Sequence, residues 1–159
     1  MSHWTGVTPE PEEHFGFIYC IEHEPTGRKY IGRKNYWLKN ASTKKRKCKS
    51  ATPDRGSDKW KAECWRESDW RTYKGSSKNV VEAMAKDPDG WTYTILRQCR
   101  SRGMLTYCEV MEQWDRRVLH ARLPDGTYEY FNRQIGAIKY RPKEELNEQS
   151  NSKERRQVL

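Results

Sequence analysis

Residues 15–34, FGFIYCIEHEPTGRKYIGRK, constrain this chain more than any other stretch. In an extended backbone successive side chains point to opposite faces, so Phe15, Phe17, Tyr19 and Ile21 share one face and Gly16, Ile18 and Cys20 the other. Pro25-Thr26-Gly27 then supplies turn chemistry, because proline presets φ and glycine tolerates positive φ. After the turn Tyr30 and Gly32 share a face and Ile31 takes the other. The segment reads as a hairpin at the centre of a small sheet.

The remaining elements follow in order. Ser76 or Ser77 caps a helix over 78–86 with Val80, Val81 and Met84 as its apolar stripe, closed by Asp87-Pro88-Asp89-Gly90. Residues 91–96, WTYTIL, are β-rich and make a third strand. Gly103 precedes a helix over about 104–120, with Met104, Cys108, Met111, Asp115 and Val118 at helical spacing. Pro124-Asp125-Gly126 turns the chain into a short extended piece, Tyr128 to Phe131. The expected fold class is α/β (α+β), a small three-stranded antiparallel sheet flanked by helices.

Only 34% of the residues are hydrophobic, so part of the length is expected to lie outside the core. Residues 1–13 read as a loose leader, 14–140 as one domain and 141–159 as a polar tail. Residues 38–66 read as a basic insertion in which Trp60, Cys64 and Trp65 suggest a short helix from near Ser57. The net charge of +9 is concentrated. Residues 33–74 hold fourteen basic and five acidic side chains, and the rest of the chain is balanced. Such a block points to a polyanionic partner, and the run Lys44-Lys45-Arg46-Lys47, with Lys49, is its expected contact. Trp37, Trp65 and Trp70 are available either for core packing or for stacking on bases.

No apolar run reaches the ~18 residues of a membrane span. Five cysteines with no C-x-x-C spacing, behind a polar and acidic N-terminus, suggest reduced thiols in the cytoplasm. His3, His14, His23 and His120 have no zinc-finger spacing with them.

Phe17-Ile18-Tyr19, about ten residues ahead of Tyr30-Ile31-Gly32, resembles the signature of the GIY-YIG nuclease superfamily. Phe17 stands where the family usually has glycine, with Gly16 one position earlier; the second triplet matches letter for letter. The stretch from Asp69 to Ser77, DWRTYKGSS, is similar to the Y-x-G-S-S/G segment of phage-borne, Seg-like members. Glu109 lies thirteen residues after Thr94-Ile95-Leu96, where the family places its metal-binding glutamate. Tyr130-Phe131-Asn132 resembles the tyrosine-asparagine element that closes the domain. The likeness spans about residues 15–140.

The resemblance implies hydrolysis of phosphodiesters in DNA, duplex DNA first, with one divalent metal, Mg²⁺ or Mn²⁺, held at Glu109, in a phage or mobile-element (homing) endonuclease. A hard cation of this kind is satisfied by one carboxylate and several waters. Tyr30 is the expected base, its phenol depressed by neighbouring cations, with Tyr19 positioning or relaying. A cation must meet the transferring phosphoryl group; Arg33, Lys34 and Arg71 are all candidates, Tyr73 takes a later place and Asn132 completes the set. The rival expectation is an inactive module of the same fold that binds DNA or RNA, the host cytoplasm being its place if the chain is phage-encoded.

Overall fold

The computed structural model describes residues 2–39 and 65–136. Its core is β2 (Gly16–His23), which pairs antiparallel with β3 (Arg28–Asn35) along its whole length. The turn between them closes with the Thr26 and Gly27 N–H groups donating to the His23 carbonyl, and Gly27 adopts φ +74°. On its other side β2 pairs antiparallel with β6 (Trp91–Cys99). The register slips between Ile18 and Tyr19, whose partners are Arg97 and Ile95, so Leu96 is the extra residue of a bulge.

The sheet has four strands where three were expected. β1 (Thr5–Gly6) adds to the far edge of β6 in parallel, giving the order β1-β6-β2-β3. Part of the stretch read as a loose leader is therefore built into the fold. Trp4 is buried and donates its indole N–H to the Trp70 carbonyl at 2.7 Å. A two-residue strand carries no periodicity, which is why the pattern of residues 1–13 did not reveal it. A separate pair, β4 (Trp37–Lys39) with β5 (Trp65–Glu67), brackets the basic segment, so Trp65 lies on a strand and not on a helix.

Both faces of β2 are covered, as its composition requires. Ile18, Cys20 and Ile31 pack with Leu105 and Cys108 of α2 (Arg102–Asp115). Phe17, Tyr19 and Ile21 pack on the opposite face with Trp4, Tyr36, Trp70 and Val80, the last from α1 (Lys78–Lys86). Each fully buried isoleucine contributes about 1.5–3 kcal/mol of transfer free energy. Phe15 joins the Ile18 face, because it precedes the first paired residue of β2 and escapes the alternation.

The first helix has the expected bounds and the second is shorter than expected, and each buries only part of its expected stripe. Val80 is the buried residue of α1, while Val81 is exposed. α2 ends at Asp115 and buries Leu105, Cys108 and Gln113 rather than Met104. Among the described residues no helix is long and apolar enough to cross a membrane.

Candidate active site

The strand β3 lies at the sheet edge, so its outer backbone groups need partners. The segment after the last turn supplies them. Lys29 N–H donates to the Glu129 carbonyl, and Phe131 N–H to the Lys29 carbonyl. Asn132 then replaces a strand residue with its side chain: its Oδ1 accepts from Ile31 N–H at 3.0 Å and its Nδ2 donates to the Ile31 carbonyl at 2.8 Å. Gln113 of α2 donates a further bond to that carbonyl at 3.2 Å. The Tyr30-Ile31-Gly32 triplet is thus clamped from two elements.

This clamp forms one wall of a cleft of about 550 Å³. Tyr30 and Arg33 enter from β3, Glu109 and Thr106 from α2, and Ser76 and Ser77 from the start of α1. Arg33 Nε lies 3.3 Å from a Glu109 carboxylate oxygen, and its Nη1 donates to the Thr106 hydroxyl. Among the described residues Nη2 of Arg33 has no partner. Glu112, one turn along, is occupied by Arg97 and Arg116. Burial raises the Glu109 carboxyl above the usual carboxylate range, and Arg33 opposes the shift without cancelling it.

Tyr30 behaves differently from the sequence expectation. Burial first, then Glu109 and Tyr73, push its phenol up to about 12, with the Ser77 hydroxyl acting the other way. Among the described residues no cation depresses it, and the Arg33 guanidinium turns to Glu109. Tyr19 is more deeply placed, its phenol raised by burial and by Tyr73 and Tyr30. Its hydroxyl is 3.4 Å from that of Tyr73, which is 3.0 Å from Ser76 Oγ at the cleft. A line of hydroxyls therefore runs from beneath the sheet surface to the rim. Gly32 makes room for it: a Cβ there would come within 2.6 Å of the Tyr19 hydroxyl and 2.8 Å of the Tyr30 ring.

The Gly75-Ser76-Ser77 segment is equally specific. Gly75 has φ +99°, a conformation that costs other residues. Ser77 occupies the N-cap position of α1, yet its side chain makes no capping bond; it faces the cleft instead.

Of the three basic candidates for the phosphate, only Arg33 lines this cleft. Arg71 is drawn away to Glu67 at 3.0 Å and stacks on Trp70. Lys34 is 2.5 Å from Asp69 and lies over the Tyr73 ring. Asp69 is held below the usual carboxylate range by that lysine. Trp70 belongs to the core, and Trp37 and Trp65 are partly buried against it, so the packing role accounts for all three. Lys44, Lys45, Arg46, Lys47 and Lys49 lie outside the described residues.

Gln113, Thr106 and Arg133 are among the cleft residues that sequence reasoning missed. Gln113 matters most for the Tyr30 strand. It is buried, and among the described residues its Oε1 has no hydrogen-bond partner. Its position four residues after Glu109 on one helix face was the available signal. Among the described residues no three His, Cys, Asp or Glu side chains gather as a metal cage. The oxygen donors of the cleft are instead a single half-buried carboxylate, shared with Arg33, and hydroxyl and amide groups, a set that fits a hard cation that keeps its waters.

A family model described as "Putative endonuclease segE, GIY-YIG domain" matches residues 3–135. No curated protein and no solved structure matches the chain. The match starts next to the buried Trp4 and ends just past Asn132, so it takes in every residue lining the cleft except Gly136. The chain belongs to the SegE-type GIY-YIG endonuclease domain family.

Proposed function

We propose that the chain is a divalent-metal-dependent endonuclease that hydrolyses phosphodiester bonds of DNA, of the phage or mobile-element homing type. The observation that carries this reading is the meeting of Arg33 and Glu109, from a strand and a helix, at 3.3 Å beside Tyr30 in one open cleft. Glu109 would hold Mg²⁺ or Mn²⁺, which when bound neutralises phosphate charge and acidifies water. Arg33 offers its unpaired Nη2 edge to the phosphate oxygens, with Thr106 fixing the guanidinium plane. Tyr30 stands beside Glu109 as the group to meet the attacking water. It keeps its proton while the Glu109 charge is uncompensated, so it acts as a hydrogen-bond donor in that state and as a base only after positive charge enters the cleft. Asn132 and Gln113 hold the strand that carries Tyr30. The buried free thiols Cys20, Cys99 and Cys108 suit a reducing, cytoplasmic setting.

Single-turnover cleavage of duplex DNA separates the arginines. Arg33→Ala is expected to slow cleavage about 10²–10³-fold, the usual loss for one transition-state donor, and Arg71→Ala to leave it near wild type. Equal losses in both variants, or a larger one in Arg71→Ala, would reject the assignment. A wild-type protein that binds DNA or RNA yet never cuts either would favour the inactive binding module.

A further inference from the structure

A second depression adjoins the cleft and shares Arg33 with it. It encloses about 260 Å³ and is lined by Arg33, Lys34, Asn35, Leu38, Arg102 and Leu105. Three of these six are cationic and none is a carboxylate. Lys34 is largely offset by Asp69, which its ammonium contacts from outside the groove lining. Arg102 is not offset. It is the first residue of α2, exposed, and among the described residues its guanidinium has no hydrogen bond or ion pair.

An exposed arginine is ordinarily a solvated surface group. Arg102 differs in lining a concave, carboxylate-free groove that is continuous, through Arg33, with the cleft holding Glu109. The groove has no room for a base to stack: it contains no aromatic ring, and Leu105 is buried beneath it. A planar guanidinium fork, an ammonium and an amide make a donor set for a tetrahedral oxyanion. Leu38 also lines it, on the strand where Lys39 pairs with Trp65. The groove therefore includes a residue of the strand pair from which the basic segment departs.

We propose that this groove is a phosphate subsite, in which Arg102, aided by Lys34 and Asn35, takes the backbone phosphate next to the one at Arg33. The proposal rests on the nucleic-acid reading of the cleft and adds to it a direction for the bound strand. Two consecutive phosphates, one at Arg33 and the next at Arg102, would fix which bond lies over Glu109.

The test is the salt dependence of binding to a short labelled DNA duplex, read by fluorescence anisotropy in EDTA. Wild type, Arg102→Ala and Arg100→Ala are compared, Arg100 being an exposed arginine two residues away and outside the groove. Loss of one phosphate contact lowers the slope of log K against log salt by about 0.9. That drop is expected in Arg102→Ala and not in Arg100→Ala. A full slope in Arg102→Ala, or an equal drop in both variants, overturns the subsite while leaving the cleft reading in place. If wild type binds no DNA at all, both readings fall together.

Discussion

The Asn132 side chain meets both backbone groups of Ile31, at 3.0 and 2.8 Å, and so stands in for a fifth strand at the edge of the sheet. The consequence is reach: a residue in the last described turn sets the position of Tyr30 and Gly32, a hundred positions earlier in the chain. Asn132→Ala leaves a buried N–H without its acceptor and is expected to cost about 1–3 kcal/mol. Asn132→Asp keeps one oxygen for the N–H but sets a second oxygen against the Ile31 carbonyl. At neutral pH it should be destabilised at least as much as the alanine variant, and recover in part in acid, where the protonated carboxyl can donate again. Thermal denaturation at pH 7 and pH 4 checks this; an aspartate variant as stable as wild type at pH 7 would show that the clamp does not hold β3.

The Glu109 carboxyl is raised because burial outweighs Arg33, and the sign of its linkage follows. A group whose folded value lies above its unfolded value stabilises the fold at low pH, and that contribution is lost as pH rises through the folded value. Metal-free Glu109→Gln should therefore gain on wild type between about pH 4 and pH 7, because glutamine does not titrate there. The same raised value makes divalent-cation binding weaken at a higher pH than an ordinary carboxylate would, since proton and cation compete. Melting curves in EDTA across this range provide the measurement. A difference between variant and wild type that shrinks as pH rises would contradict the burial account.

Trp4 anchors the N-terminal strand through packing against Phe17 and Tyr19 and through its bond to Trp70. Trp4→Ala is expected to cost about 3–5 kcal/mol, the usual range for a buried tryptophan. Urea denaturation reads it directly. An unchanged midpoint would restore the picture of a loose leader.

Much of this arrangement was legible in the residues. The alternation of β2 and the turn chemistry at Pro25-Thr26-Gly27 pointed to the hairpin that the structure contains. The G-S-S segment and Glu109, singled out by the resemblance, line one cleft. Other features depend on tertiary contacts that leave no local trace. β1 is too short to show a period. The inward face of α2 is set by where Leu105 meets Gly16 and where Gln113 meets Ile31, and a stripe drawn through Met104 follows the outer side. The choice among Arg33, Lys34 and Arg71 was open because their acidic partners decide it. Asp69 and Glu67 hold the latter two, and only the folded chain reveals the pairing. Nor could the sequence place the Tyr30 phenol above its ordinary value, since composition suggested cations where the structure sets a carboxylate and a buried ring.

The most direct measurement is conversion of supercoiled plasmid to nicked or linear DNA by the wild-type protein, with Mg²⁺ and with EDTA, beside Glu109→Ala. The account predicts cleavage with Mg²⁺, none in EDTA, and a loss of at least about 100-fold in Glu109→Ala with DNA binding retained. Cleavage that persists in Glu109→Ala at the wild-type rate, or a folded wild-type protein that cuts no DNA with any divalent metal, would contradict it.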